Sequence, residues 1–320
     1  MSEVLPKFQL LEPGTVDEAV ANLRDNPGAL PCAGGTDLIV RLRKGLSETG
    51  TLVDLNGVGE LRRVTAPNGG LRIGAGVTLA ELEATPALAS YPAILQAVAT
   101  VAGPTHRETA TLGGNLCLDT RCVYYNQSHW WRKSNGFCLK YLGNICHVAP
   151  KGSRCRAAFS GDIAPAVMVH DAWIEIAGPE GLRKVPLSEF YREDGADHLC
   201  LERDEIVIAV QLPAPGPVSA YRKVRLRGAV DFPLAGVAVA CLPRPKGTRF
   251  LIAVTGTNSM PVMVELSETL EKDDDAGAFF SKLEKQVQKS VSPQRTGTLA
   301  PHYRRLAVAA LARRMAQDML

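Results

Sequence analysis

The sequence predicts an α+β protein made of three successive units. Three observations carry that class. Helical and strand-like patterns alternate over the first 60 residues, apolar strand-like runs return in the middle and last thirds, and a long helical pattern closes the chain at about 302–319.

The first unit covers residues 1–60. Thr15 and Glu18 stand in capping-box order, and Val16, Ala19, Val20 and Leu23 follow at helical spacing. Residues 30–33 read as a short strand running into Gly34-Gly35-Thr36-Asp37, 38–44 resume a helix, and 52–55 close the unit as a strand. The second unit, 61–215, opens with a strand at 71–76. Thr78 and Glu81 repeat the capping-box order, and 91–102 read as a helix ended by Gly103-Pro104. Strand-like runs follow at 166–170, 173–177 and 206–212. Pro213, Pro215, Gly216 and Pro217 mark a linker. The third unit, 218–320, offers strands at 221–226, 236–242 and 250–255 ahead of its terminal helix.

Composition narrows the function classes. The chain has 320 residues, 46% hydrophobic and 22% charged, with a net charge of +3, which gives no basis for binding nucleic acid or a membrane surface. The first seven residues lack the basic start and apolar run of a signal peptide, so a cytoplasmic location is expected. In a reducing compartment the eight cysteines, at 32, 117, 122, 138, 146, 155, 200 and 241, read as metal ligands or buried thiols. Five of them fall between 117 and 155. Residues 120–157 show neither helical nor strand period, yet their cysteine and aromatic content argues against disorder.

Gly34-Gly35 stands between a strand-like run and a helical one, and a second pair, Gly113-Gly114, lies beyond the helix ended by Gly103-Pro104. Such pairs let backbone approach a ligand with no Cβ in the way and present N–H groups to a phosphate. Thr36 and Asp37 add possible side-chain hydrogen bonds. Neither pair fits G-x-G-x-x-G or a P-loop, and a single pair is more often a plain tight turn; two pairs that can converge on one diphosphate reverse that balance.

Four segments, Cys32-Ala33-Gly34-Gly35-Thr36-Asp37-Leu38, Ala110-Thr111-Leu112-Gly113-Gly114-Asn115-Leu116, Gly161-Asp162-Ile163-Ala164-Pro165-Ala166 and Tyr221-Arg222-Lys223-Val224-Arg225 with Asp231, occur in order. In them the chain resembles the FAD subunit of the xanthine dehydrogenase and CO dehydrogenase family, over nearly its whole length. The resemblance implies a two-subdomain FAD-binding fold of the vanillyl-alcohol-oxidase-like (PCMH) type, followed by a C-terminal antiparallel sheet with helices. It implies that Cys32, Ala33, Gly34, Gly35, Thr36, Asp37 and Leu38, with Thr111, Gly113, Gly114 and Asn115, cradle the FAD diphosphate. By the same likeness Asp162 bonds the polar part of the flavin and Lys223 lies near the isoalloxazine. Without the resemblance, Asp162 reads as a helix or turn cap and Lys223 as a solvated strand residue. His106-Arg107-Glu108 departs from the Ile-Arg-Asn run common in the family ahead of the second glycine loop.

Between Asn115 and Asp162 this chain carries extra sequence holding Cys122, Cys138, Cys146 and Cys155, with 15, 7 and 8 residues between successive thiols. That spacing is neither a C-x-x-C ferredoxin pattern nor a pair of zinc knuckles. Tyr124, Tyr125, Trp130, Trp131 and Phe137 are suited to exclude water from a bound group, and Lys133, Lys140, Lys151 and Arg154 to offset its negative charge. The insertion resembles the one that distinguishes the β subunit of 4-hydroxybenzoyl-CoA reductases, which implies a [4Fe–4S] cluster on these four cysteines, with a structural zinc site as the alternative. Cys117 reads as a packed residue, Cys32, Cys200 and Cys241 as core, and His129 and His147 as non-ligands.

The resemblance implies no bond-breaking on substrate by this chain. It implies a relay of low-potential electrons from ferredoxin through [4Fe–4S] and FAD to the [2Fe–2S] small subunit and the molybdenum large subunit, for reductive dehydroxylation to benzoyl-CoA, in a hexamer of two heterotrimers. Two alternatives stand beside it: a flavin subunit of an oxidising molybdenum hydroxylase that passes electrons to NAD or quinone, and a zinc-stabilised assembly scaffold.

Overall fold

The computed structural model describes residues 5–266, 269–271, 273–297 and 299–320. The signal-peptide reading rests partly on Met1, Ser2, Glu3 and Val4, which lie outside the described residues. In the first unit β1 (Gln9–Leu11), β2 (Leu30–Cys32) and β3 (Thr51–Asp54) form a parallel sheet in the order β1-β3-β2. Between them lie α1 (Val16–Asp25) and α2 (Leu38–Arg43). Thr15 caps α1 by accepting from the Glu18 N–H at 3.2 Å, but Glu18 reaches beyond the cap to the Gly14 N–H at 2.7 Å, so the box does not close. The apolar stripe of α1 is buried against Val53, Ile206 and Ile208, which ties the first unit to the second.

In the second unit β4 (Val64–Thr65) and β5 (Leu71–Gly74) precede a run of short helices. These are α3 (Leu79–Glu83), α4 (Pro92–Thr100), α5 (Pro104–Arg107), α6 (Leu112–Leu116), α7 (His129–Ser134) and α8 (Ile163–Met168). β6 (Trp173–Gly178), β7 (Gly181–Pro186) and β8 (Ile206–Leu212) then complete an antiparallel sheet ordered β4-β5-β8-β6-β7. Thr78 and Glu81 do close their box at the start of α3. The strand expected at 166–170 is instead the end of α8 and the turn after it. Every residue of α8 is buried, and an apolar run covered on all sides carries no period to separate helix from strand.

The third unit is a sheet of β9 (Val218–Val224), β10 (Ala235–Arg244), β11 (Gly247–Thr255), β12 (Val262–Val264) and β13 (Leu270–Glu271). Its order is β12-β11-β10-β9 with β13 on β11, all antiparallel. α9 (Ala276–Ser290) and α10 (Pro301–Gln317) cover one face. Strand period decides which face: Val237, Val239 and Cys241 join the helices, while Ala238 and Ala240 join the core of the second unit. The expected linker at 213–217 therefore runs straight into a strand packed against what precedes it. Among the described residues no helix is long and apolar enough to cross a membrane.

Two buried histidines make stability depend on pH. The His170 ring nitrogen meets Ser219 Oγ at 3.1 Å and that of His198 meets the Leu118 carbonyl at 3.0 Å. Burial disfavours the charged form of both rings and lowers each pKa to about 4. Below about 6.5 the unfolded chain therefore binds protons that the folded chain refuses, and stability falls as pH drops from that value toward 4. Each ring contributes a slope of about 1.4 kcal/mol per pH unit inside that window. The variant His170→Gln is expected to show a shallower decline in melting temperature between pH 7 and pH 5; an unchanged slope would contradict this.

Candidate functional site

The two glycine loops meet. A Cβ on Gly34 would stand 1.8 Å from the Thr109 carbonyl oxygen, just ahead of the second loop, and Gly35 has φ +67°. A Cβ on Gly113 would stand 2.8 Å from Ala75 Cβ and 3.0 Å from its carbonyl oxygen. Close backbone approach thus fixes glycine at 34 and 113 before any ligand is considered. Gly34→Ala is expected to cost at least about 1–3 kcal/mol by overpacking, read as a lower melting temperature. A variant as stable as the parent would show that the contact yields.

Cys32, Ala33, Gly34, Gly35, Thr36, Asp37 and Leu38, together with Thr111, Gly113, Gly114, Asn115 and Asp162, line one cavity of about 600 Å³. That volume lies within the range of small-molecule and cofactor sites. The loops are not equivalent. Among the described residues none accepts a hydrogen bond from the N–H of Gly34, Gly35 or Thr36, which leaves these donors available on the wall. In the second loop the Leu112 and Gly113 N–H groups bond the Val77 and Ala75 carbonyls, Gly114 bonds Thr111 Oγ1 and Asn115 bonds the Thr111 carbonyl. Asn115 Oδ1 in turn accepts from the Ile163 N–H at 3.1 Å and fixes the start of α8. The second loop offers close backbone rather than spare donors. The side chain of Asp37 is engaged by Arg121 and lies 3.9 Å from Arg41.

Asp162 stands at the start of α8 but its side chain does not cap it. Its Oδ1 is 3.0 Å from Lys223 Nζ and accepts from Tyr221 Oη at 2.7 Å. Lys223 also donates to the Thr100 and Asp231 carbonyls at 2.8 and 2.9 Å, so all three of its donors are used. The Lys223 side chain is 2% exposed and is absent from the cavity lining; it stands behind Asp162 rather than beside a cavity ligand. Burial pushes the Asp162 carboxyl up from its ordinary range, against the opposing pull of Lys223 and Tyr221. Arg41, His106, Arg227, Asp231 and Phe232 also line the cavity, and the sequence reading assigned none of them a role there. His106 and Asp231 stood in segments the sequence singled out and Arg41 lies one helical turn beyond Asp37, whereas Arg227 and Phe232 carried no readable signal.

Cys122, Cys138, Cys146 and Cys155 line a second, small pocket with Tyr124, Tyr125, Leu139, Lys140, His147 and Val148. Cys122 and Cys155 belong to the insertion's own apolar core, against which Cys138 packs and which also takes Leu46 from the first unit. The insertion is tied to the segment after α2 by bonds from Tyr125 Oη to the Leu46 carbonyl, from Arg132 to the Gly45 carbonyl and from Tyr141 Oη to Glu48. Burial raises the Cys122 thiol and pushes Cys155 up to about 11, opposed at Cys155 by the Ala157 N–H and Lys140. Residues 120–160 hold seven Lys and Arg and no Asp or Glu, a charge balance suited to an anionic metal–thiolate group. Among the described residues no three His, Cys, Asp or Glu side chains form a ready site for one metal ion. The ring nitrogen of His147 is 2.5 Å from the Phe137 carbonyl. Cys117 lines the large cavity instead, and burial, with Cys200 nearby, pushes its thiol up to about 12.

Parallel and antiparallel sheets around a glycine-walled cavity of this volume define a protein of the cofactor-binding class. Residues 6–215 match the family described as FAD binding domain in molybdopterin dehydrogenase, and the chain belongs to that family. It is 33% identical over 265 residues to the aldehyde oxidoreductase FAD-binding subunit PaoB of Escherichia coli, covering 79% of this chain and 82% of that one. It is 33% identical over 233 residues to a xanthine dehydrogenase FAD-binding subunit of Escherichia coli, covering 71% of this chain. The match spans 66% of that relative's length, slightly under two thirds. Among solved structures, a Cu,Mo-CO dehydrogenase superposes with a TM-score of 0.79 at 23% identity, over 99% of this chain and 98% of that one. Quinoline 2-oxidoreductase from Pseudomonas putida 86 gives 0.77 at 20%, with the same coverage. At those identities the superpositions establish the fold alone.

Proposed function

We propose that this chain is the FAD- and [4Fe–4S]-carrying electron-transfer subunit of a molybdenum hydroxylase-type oxidoreductase, of the 4-hydroxybenzoyl-CoA reductase kind. The observation that carries the proposal is the convergence of Cys122, Cys138, Cys146 and Cys155, from across the insertion, on one pocket separate from the large cavity. What supports the cluster reading is the chemistry of the pocket wall: four thiols, an aromatic and aliphatic surround, and Lys140. The cavity fits FAD in volume, in its spare N–H donors and in its absence of Cβ atoms at the glycine pairs.

In this reading Gly34, Gly35 and Thr36 donate to the diphosphate, while Thr111, Gly113, Gly114 and Asn115 form the backbone surface against which it lies. Cys32, Ala33, Asp37 and Leu38 complete the wall, Asp162 accepts from the polar part of the flavin, and Lys223 positions Asp162. When bound, the flavin supplies one- and two-electron chemistry and the cluster one-electron chemistry. The residues around the thiols exclude water and offset charge. The assembly proposed is a molybdenum-bearing large subunit with a [2Fe–2S] small subunit, doubled into a hexamer, with ferredoxin as donor for reductive dehydroxylation of 4-hydroxybenzoyl-CoA. The three units, 1–60, 61–215 and 218–320, with the insertion at about 120–157, are proposed as its domains.

A second reading, a flavin subunit of an oxidising hydroxylase, is favoured by the names of the two bacterial relatives. Anaerobic iron, zinc and flavin analysis of the purified chain, with low-temperature EPR after dithionite reduction, separates the possibilities. About four irons and one FAD per chain with a reduced-cluster signal is the expected result. FAD without iron would favour the second reading, and zinc would make the insertion a structural staple. The substrate is tested on the intact complex: failure to dehydroxylate 4-hydroxybenzoyl-CoA with a reduced low-potential donor would sink that assignment.

A further inference from the structure

The two sites are joined by a line of alternating charges. Lys140 lines the thiol pocket, and its side chain is only 6% exposed. Its three donors go to Asp119 Oδ1 at 2.7 Å, Thr120 Oγ1 at 2.6 Å and the Gly195 carbonyl at 2.5 Å. The other carboxylate oxygen of Asp119 lies 3.2 Å from Arg41 Nε. These two atoms are within ion-pair range, yet both are buried without an aligned hydrogen bond, so the pair is held by charge rather than by direction. Arg41 lines the large cavity and lies 3.9 Å from Asp37, which lines it too. The order is thus Asp37, Arg41, Asp119, Lys140 and then the thiols, in surroundings where charges are screened less than in water.

From this arrangement we infer that Asp119 and Lys140 are positioning residues that couple the two cofactor sites, so that a diphosphate in the cavity sets the field felt by the group on the four thiolates. The inference rests on the proposed FAD and cluster occupancy and adds to it a physical link. A diphosphate competes with Asp119 for Arg41. Asp119, released, turns its full charge on Lys140 and reduces the positive field at the thiols. Adding an electron to the thiolate-bound group then becomes harder. By reciprocity, the reduced cluster weakens binding of the diphosphate.

The test is the cluster midpoint potential, read by EPR titration on the full chain loaded with FAD and again after FAD has been stripped. In the parent, FAD is expected to bind the reduced-cluster form at least about fivefold more weakly, equivalent to a potential about 40 mV lower when loaded. Asp119→Asn keeps the shape, removes the relayed charge, and is expected to abolish most of that difference. Lys140→Gln serves as a second break in the line if the first variant fails to fold. A parent potential indifferent to FAD, or a difference that survives in a folded variant, would overturn the coupling while leaving the proposed function intact. Iron or flavin missing from the parent would overturn the proposed function, and the coupling with it.

Discussion

Lys223→Met is expected to destabilise the folded chain by about 3–5 kcal/mol, the range for removing one partner of a buried ion pair. The Asp162 side chain is 4% exposed, and the lost ammonium is its only close cation among the described ion pairs. The Thr100 and Asp231 carbonyls lose a donor in the same change. The sign of the pH dependence follows from Asp162. Burial already raises its carboxyl, and without Lys223 the folded variant holds the proton to higher pH than the unfolded chain does. Between those two values the folded state binds more protons, so the variant's stability falls as pH rises and its deficit narrows in acid. Chemical unfolding at pH 5 and pH 8 measures this; equal deficits at both would contradict it. Flavin content should fall as well, because Asp162 would reach the cavity neutral and held by Tyr221 alone.

Cys138→Ser is expected to remove the iron and the reduced-cluster EPR signal while leaving FAD bound. Cys138 sits in a tight turn in which its N–H bonds the Tyr141 carbonyl and its own carbonyl accepts from Tyr141 and Gly143. Phe137 and Leu142 adopt φ of 57° and 54°. Non-glycine residues rarely take that conformation, at a cost of about 1–3 kcal/mol each. The cost is consistent with a turn shaped to present a ligand, and metal binding would supply the offset by coupling to local folding. The insertion of the variant is therefore expected to become more protease-sensitive, with Cys117→Ser as the control that keeps its iron. A Cys138→Ser protein with full iron would remove Cys138 from the ligand set.

The elements the sequence made legible are those with a cap and an apolar stripe, or with an apolar run of strand length. α1 and α3 each have a hydroxyl cap and an apolar stripe, β8 carries a β-branched run, and β10 and β11 carry apolar ones. α8 was misread because it is buried on every side. α9 was overlooked although Asp275 caps it at the Gly277 and Ala278 N–H groups and Phe279, Phe280, Leu283 and Val287 form its buried stripe. α7 lies in a segment with too few apolar residues to show a period. Glycine pairs and clustered cysteines were readable because their chemistry is local.

By itself the sequence presented the local parts: two glycine loops, the first running into an aspartate, and four thiols crowded into one insertion. Only the tertiary structure decided how those parts are used. It put Lys223 behind Asp162 instead of on the cavity wall, left spare N–H donors in the first loop but not the second, and linked the sites through Arg41, Asp119 and Lys140. The reason is physical. Local pattern encodes caps, turns and periods, whereas the partner of a buried charge is chosen by whichever opposite charge the fold brings within reach, across 61 residues for Asp162 and Lys223.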